Sequence, residues 1–199
     1  MKKLSLILVS FIFILKIAYA NTYATDPKIF IKELVSDAIN KLSDKDISEE
    51  EKKNFIANVA IENVDINALG LYTLGELRKS TDKNSLENYQ QAFERYFLKS
   101  LTSRLADYSS NKFEIIDAEK KNSNYTIVKS KIAKSENQPE IKIDWRIYTK
   151  NPEKPLIRDL IVEGLSLART QKEEFASILS SNNNDINILI TKLEEFLNN

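Results

Sequence analysis

The sequence predicts an α+β fold in which about six helices cover one face of a four-stranded antiparallel sheet, with either a filled core or an apolar pocket between the layers. Two patterns carry this prediction. Apolar residues recur every three or four positions over residues 27–108 and again after residue 170, which is typical of helices. Between residues 113 and 162 they alternate with polar residues, which is typical of strands. Helices before and after a run of strands favour an α+β arrangement.

The first two helices have capping signals at their starts. Asp26 precedes Pro27, which suits the first turn of a helix, and apolar residues follow at helical spacing. Ser48 and Glu51 form a capping box before a second apolar stripe. We therefore expect helices near residues 27–42 and 49–63.

A third helix is expected over Ile66 to Leu77, with Asp65 as its cap. The segment is mostly apolar, which indicates burial on several sides. Gly70 and Gly75 each cost a helix about 1 kcal/mol relative to alanine. We expect them where another backbone comes close.

A long fourth helix follows a polar break at residues 79–85. Its apolar stripe is rich in aromatic rings, which pack in a core against a sheet or, because of their bulk, leave gaps beside it. The stripe consists of Tyr89, Phe93, Tyr96, Phe97, Leu101, Leu105 and Tyr108.

Four strands are expected near Phe113–Ile115, Tyr125–Val128, Ile141–Ile147 and Leu156–Val162. Clusters of turn-forming residues separate them at 121–124, 135–139 and 151–155. Short links between consecutive strands predict an antiparallel meander with one apolar and one charged face.

Two helices are expected after the strands. Thr170 and Glu173 form a capping box ahead of Phe175, and Asp185 precedes an apolar stripe that extends to Leu197.

The first twenty residues have the pattern of a secretory signal peptide. Lys2 and Lys3 precede an apolar run over residues 4–15, and Ala18 and Ala20 provide the small residues of a cleavage site. The run is too short to span a membrane, for which about 20 apolar residues are needed. We expect one domain over residues 21–199, released as a soluble protein; an uncleaved anchor is the alternative.

Composition excludes several classes of function. The chain contains no His and no Cys, so Ser-His and Cys-His nucleophile pairs and ordinary structural zinc sites are excluded. Its three glycines cannot form the usual phosphate-binding loops. With 29 basic and 29 acidic residues it has no basic excess for nucleic acid. We expect no metal and no cofactor.

Carboxylate pairs are the remaining catalytic possibility. Asp144, Asp159 and Glu163 lie near the charged strands, and two acids about 5 to 9 Å apart could serve a glycosidase. Cross-strand ion pairs that involve Arg146 and Arg158 on the solvated face explain them better. Ser166 has no base to activate it. On residues alone, three functions stay open: a carrier of a hydrophobic ligand, a pocket enzyme with a carboxylate acid/base, and an adaptor that binds proteins.

Three segments resemble the MlaC family of periplasmic phospholipid-binding proteins, also called the toluene-tolerance auxiliary family. They are Asp144–Tyr148, Ile157–Ala176 and the long helix Tyr89–Tyr108. The Val-Glu-Gly-Leu-Ser motif at 162–166 is the most specific part. The chain departs from the family at Ser110, where the family usually has a glycine, and in the hairpin 151–155, where the family often has glycines.

The resemblance implies a non-enzymatic phospholipid carrier. Such a carrier moves lipid through the periplasm between an outer-membrane lipoprotein complex and an inner-membrane ABC transporter with an MCE-domain subunit, and so maintains outer-membrane lipid asymmetry. We expect a monomer with buried acyl tails, an exposed headgroup and weak headgroup selectivity. The expected lipid-binding residues are Tyr72, Phe93, Phe97, Leu101, Tyr108, Trp145, Ile147, Leu160, Val162, Leu165, Leu167 and Phe175.

Overall fold

The computed structural model of the chain describes residues 23–105, 113–134 and 139–198. The features expected at residues 1–20, Tyr108 and Ser110 lie outside these ranges. The helices are α1 (Pro27–Ser43), α2 (Glu49–Asn63), α3 (Ile66–Thr73), a 3₁₀ helix (Gly75–Lys79), α4 (Lys83–Leu105), α5 (Leu167–Ser180) and α6 (Ile186–Asn198). The strands are β1 (Phe113–Lys120), β2 (Tyr125–Ile132), β3 (Ile141–Tyr148), β4 (Leu156–Val162) and β5 (Leu165–Ser166).

The caps of the first two helices are confirmed. A side-chain oxygen of Asp26 accepts the backbone N–H groups of Lys28 and Ile29, both at 3.0 Å. Ser48 and Glu51 make both hydrogen bonds of the predicted capping box. These interactions satisfy free N–H groups in the first turns of α1 and α2, so both helices begin at the expected residues.

The third helix is shorter than expected. It ends at Thr73, because Gly75 has a φ of +64°, a left-handed conformation that ends an α-helix. Gly70 is required for a different reason from the predicted one. A Cβ atom at Gly70 would lie 2.9 Å from Cδ1 of Phe93, so a side-chain ring, and not another backbone, fills the space beside it.

The predicted start of the fifth helix at Thr170 was wrong. Ser166 caps α5, and its Oγ accepts the N–H of Arg169 at 3.0 Å. The Thr170 hydroxyl donates to the carbonyl of Ser166 within the first turn. A tight turn at Glu163 and Gly164, both with positive φ, brings Ser166 to this position directly after β4. Asp185 does cap α6, since its Oδ1 accepts the N–H of Asn187 at 2.8 Å.

The sheet is an antiparallel meander in the order β1-β2-β3-β4-β5, with the two-residue β5 added to the four predicted strands. In its register, Trp145 lies opposite Val128 and Leu160, which gives the sheet an apolar face. Arg146 lies opposite Ile127 and Asp159 on the other face. Irregularities in register in β1 and between β3 and β4 mark bulges, which bend a sheet.

Two clusters of buried apolar side chains form the core of the described residues. One lies among α3, α4, α5 and α6 around Phe93, and the other joins α1 to the apolar face of the sheet around Ile147. Val64, which follows α2, packs against both clusters. Within the ranges described, no helix is long and apolar enough to cross a membrane.

Candidate ligand-binding cavity

A cavity of about 460 Å³ lies between the two apolar clusters. Its walls come from helices α1 to α4, the sheet and the start of α5. The lining is almost entirely aliphatic and aromatic. A concave, apolar site with few polar groups is the ordinary form of a site for a hydrophobic ligand.

The sheet contributes a flat aromatic floor at Trp145. The indole N–H of Trp145 donates to the Ser130 hydroxyl at 2.8 Å, and that hydroxyl donates to the carbonyl of Ile143 at 2.9 Å. Phe113 packs edge-on against the indole, with ring centroids 6.3 Å apart. Because the one polar atom of the indole is satisfied within the sheet, the rest of the ring is an apolar surface.

Helix α4 contributes the facing wall through its aromatic stripe. Phe93 stacks on Phe97 at 6.2 Å and meets Phe175 of α5 edge-on at the same distance. The hydroxyl of Tyr96 donates to Oε1 of Gln171 at 3.0 Å. The ring of Phe93 is fixed on three sides, by Gly70, Phe97 and Phe175, so this wall is preorganised.

Two of the three charged side chains in the described lining, Arg158 and Asp159, are held by protein partners. The guanidinium of Arg158 donates to Asp65 at 2.7 and 2.8 Å and to the Tyr125 hydroxyl at 2.9 Å, and it lies 3.5 Å from the ring centroid of Tyr148. The carboxylate of Asp65 therefore pairs the charge of Arg158, and the ring of Tyr148 packs against its guanidinium group.

Asp159 is the carboxylate in this lining within the described ranges, and its side chain is 1% exposed. Its Oδ2 accepts the Ser166 hydroxyl at 2.6 Å and lies 3.3 Å from Nη1 of Arg146; its Oδ1 accepts the N–H of Ala168 at 3.0 Å. One expected cross-strand ion pair, Arg146 with Asp159, is therefore present, but its carboxylate is buried while Arg146 is partly exposed. Arg158 pairs with Asp65 instead of a strand neighbour.

The structure places seven of the expected lipid-binding residues in the cavity wall. Contact with a ligand stays a prediction for all of them. They are Phe93, Phe97, Leu101, Trp145, Leu160, Val162 and Leu167.

The other five expected residues lie elsewhere. Ile147 and Phe175 are buried within the two apolar clusters, and Leu165 is 69% exposed beside the turn after β4. Tyr72 lines a separate groove on the charged face of the sheet. Tyr108 is outside the described residues.

Sequence reasoning missed the contribution of α1 and α2 to the wall. The lining includes Val35, Ile39, Phe55 and Val59, which lie at helical spacing in stripes that the sequence does reveal. Periodicity identifies the apolar face of a helix but not the surface that it faces, so these stripes gave no signal of a cavity.

A sheet and a helical layer that enclose an apolar space define an α+β protein with an apolar cavity between its layers. The chain belongs to the MlaC protein family, whose family model matches residues 32–195. The structure is similar to that of a phospholipid-binding protein from Ralstonia solanacearum solved in complex with a phospholipid, with a TM-score of 0.69 and 18% identity over 88% of this chain and 96% of that one. No curated protein matches the sequence.

Proposed function

We propose that this protein is a phospholipid carrier that encloses acyl chains in the cavity between α4 and the sheet. The observation that carries the proposal is the lining itself, which is mostly apolar and in which the charges of Arg158 and Asp159 are paired. The similar Ralstonia solanacearum protein was solved with a phospholipid, which supports the same ligand class here.

The energetics favour a carrier that retains its cargo until a partner takes it. Each methylene removed from water contributes about 0.8 kcal/mol, so each acyl chain of about 15 methylenes that the cavity encloses contributes on the order of 12 kcal/mol before entropic costs. Escape into water is therefore negligible. Release requires a second apolar site placed at the mouth of the cavity.

The wider role follows from family membership and the leader pattern. We propose that residues 1–20 direct export to the periplasm and that residues 21–199 form one lipid-binding unit. In the periplasm, the protein would shuttle phospholipid between an outer-membrane lipoprotein complex and an inner-membrane ABC transporter with an MCE-domain subunit. This transport would maintain outer-membrane lipid asymmetry. We expect it to act as a monomer and without nucleic acid.

We propose that the protein is not an enzyme. Both oxygens of Asp159 are engaged by Ser166, Ala168 and Arg146, which accounts for this buried carboxylate as a structural group that joins β4 to α5. No group of His, Cys, Asp and Glu side chains within the described residues could hold a metal ion. The contacts of Asp159 support a role limited to binding and release.

The test is to purify the protein without detergent, extract it with organic solvent and quantify lipid by mass spectrometry. We expect about one phospholipid per chain. Leu160→Asp and Phe97→Asp should abolish retention while the protein remains soluble, because each introduces a charge into an apolar wall. Ile116→Asp is the matched control, since Ile116 is 53% exposed on β1 and outside the lining. Absence of lipid from the wild type, or unchanged retention in both wall variants, would overturn the proposal.

A further inference from the structure

The exposed residues of the lining show where the cavity opens. Within the described part of the chain, the lining residues are buried or half-buried except for Arg104 and Leu167. Arg104 lies in the last turn of α4, and Leu167 is the first residue of α5. The mouth of the cavity is therefore at the junction of these two helix ends.

A polar line leads from the interior to this mouth along one face of α4. Tyr96, Ser100 and Arg104 are spaced four residues apart and all line the cavity. Residues four apart lie above one another on a helix surface. Burial and the charge of Glu174 raise the pKa of the Tyr96 phenol, while its hydrogen bond to Gln171 and the charge of Arg104 oppose that rise. The positive charge of Arg104 therefore influences the phenol of Tyr96, which lies on the same cavity face of α4.

Arg104 differs from the other arginine in the lining. Arg158 is held by Asp65, Tyr125 and Tyr148, so its charge is already paired within the protein. No described carboxylate lies within 4.0 Å of Arg104. A guanidinium at the rim of an apolar cavity, without a carboxylate partner in the described chain, has the donor geometry for a phosphate group.

We infer that Arg104 binds the phosphate of a lipid headgroup at the cavity mouth, so that the protein selects diacyl lipids with a phosphate over neutral diacyl lipids. This inference rests on the proposed carrier function and specifies its ligand class. It differs from the weak headgroup selectivity expected from the sequence. A ligand whose tails lie between α4 and the sheet has its glycerol phosphate at the mouth, where Arg104 is located.

The experiment uses vesicles that contain equal amounts of phosphatidylethanolamine and diacylglycerol with identical acyl chains. Delipidated protein is incubated with them and re-isolated, and the ratio of the two bound lipids is measured by mass spectrometry. We expect the wild type to favour the phospholipid about tenfold, the effect of one charge-assisted hydrogen bond. Arg104→Gln should bring the ratio close to one. Arg104→Lys should retain part of the preference, because lysine keeps the positive charge but lacks the planar pair of donors that binds a phosphate with two hydrogen bonds.

Arg95→Gln is the matched control. Arg95 is on the same helix but outside the cavity, where it pairs with Glu194 of α6 at 3.1 Å. This variant should keep the preference of the wild type. Addition of glycerol 3-phosphate should not displace bound lipid, because the phosphate contact alone is weak without the tails.

The outcomes separate this inference from the carrier function. Equal binding of both lipids by the wild type, or an unchanged preference in Arg104→Gln, overturns the role of Arg104 and leaves the carrier intact. Binding of neither lipid overturns the carrier itself. Displacement of lipid by glycerol 3-phosphate would instead indicate a site for free phosphate esters and would also overturn the inference.

Discussion

The carboxylate of Asp159 joins strand β4 to the first turn of α5. It accepts hydrogen bonds from the Ser166 hydroxyl and the N–H of Ala168, and it forms an ion pair with Arg146. The positive end of the α5 dipole favours a negative charge at this position. From the sequence, Asp159 is an acid on the polar face of a strand. It is buried because the turn at Glu163–Gly164 folds α5 back over it.

Asp159→Asn tests this junction. The substitution leaves the side chain in place but removes its charge, so we expect the free energy of unfolding to fall by about 2 kcal/mol. The measurement is a urea denaturation midpoint on delipidated protein. Asp144→Asn, on the same face of the sheet but without a described ion-pair partner, should change it by less than about 0.5 kcal/mol. Equal effects of the two substitutions would contradict the assigned role of Asp159.

Helices α1 and α2 show how an element can serve both a core and a cavity. The first half of α1 packs on the sheet through Phe30, Ile31 and Leu34, while Ile39 and Leu42 face the cavity. The ammonium group of Lys52 in α2 donates to the carbonyl of Leu42 at 2.7 Å, near the end of α1. A cation at the end of a helix satisfies free carbonyls and complements the dipole. This contact ties the far end of α1 to α2.

Lys52→Met should fray the last turn of α1. The Leu42 carbonyl loses its donor while the apolar stem of residue 52 is kept, so local opening near residues 40–43 should become easier by about 1 kcal/mol. Amide hydrogen exchange followed by mass spectrometry measures this opening. Lys53→Met is the control because Lys53 is exposed and has no described partner. Unchanged exchange near residues 40–43 in Lys52→Met would show that the contact does not hold this end.

The molecule as a whole is organised around two apolar clusters that do not merge. Val64 packs against both, and the N–H of Asp65 donates to the carbonyl of Ile157 at 2.9 Å beside it. Elsewhere the cavity separates them. Empty apolar space weakens packing, since its lining lacks partner atoms. A bound lipid would fill that space and stabilise the folded chain by mass action.

Ala38→Phe should fill part of the cavity from α1. We expect the delipidated variant to unfold at a higher temperature than the delipidated wild type, and to retain at least several-fold less phospholipid. Thermal unfolding and lipid quantification measure the two effects. Ala176→Phe, an exposed position on α5 outside the lining, should change neither. Full lipid retention by Ala38→Phe would contradict the assigned position of the acyl chains.

The sequence by itself determined the six α-helices and four main strands and their order, but not the 3₁₀ helix or β5. Local rules suffice where a cap and its helix lie within four residues, as at Asp26 and Ser48, and where apolar alternation defines a strand face, as at Trp145. The same rules failed at Thr170 and beyond Thr73, because a hairpin after β4 and a left-handed Gly75 set those helix ends. Seven of twelve expected lipid-binding residues lie in the cavity wall, since they occupy the apolar faces of α4, β3, β4 and α5.

Only the tertiary structure decided which apolar faces meet and which leave space. A stripe such as Leu34 to Leu42 reads the same whether it packs on a neighbour or lines a void, because hydrophobicity is not directional. The position of the mouth, the partners of Arg158 and the lack of a described carboxylate beside Arg104 depend on residues far apart in the chain. Contacts between distant segments set them, and no local pattern encodes such contacts.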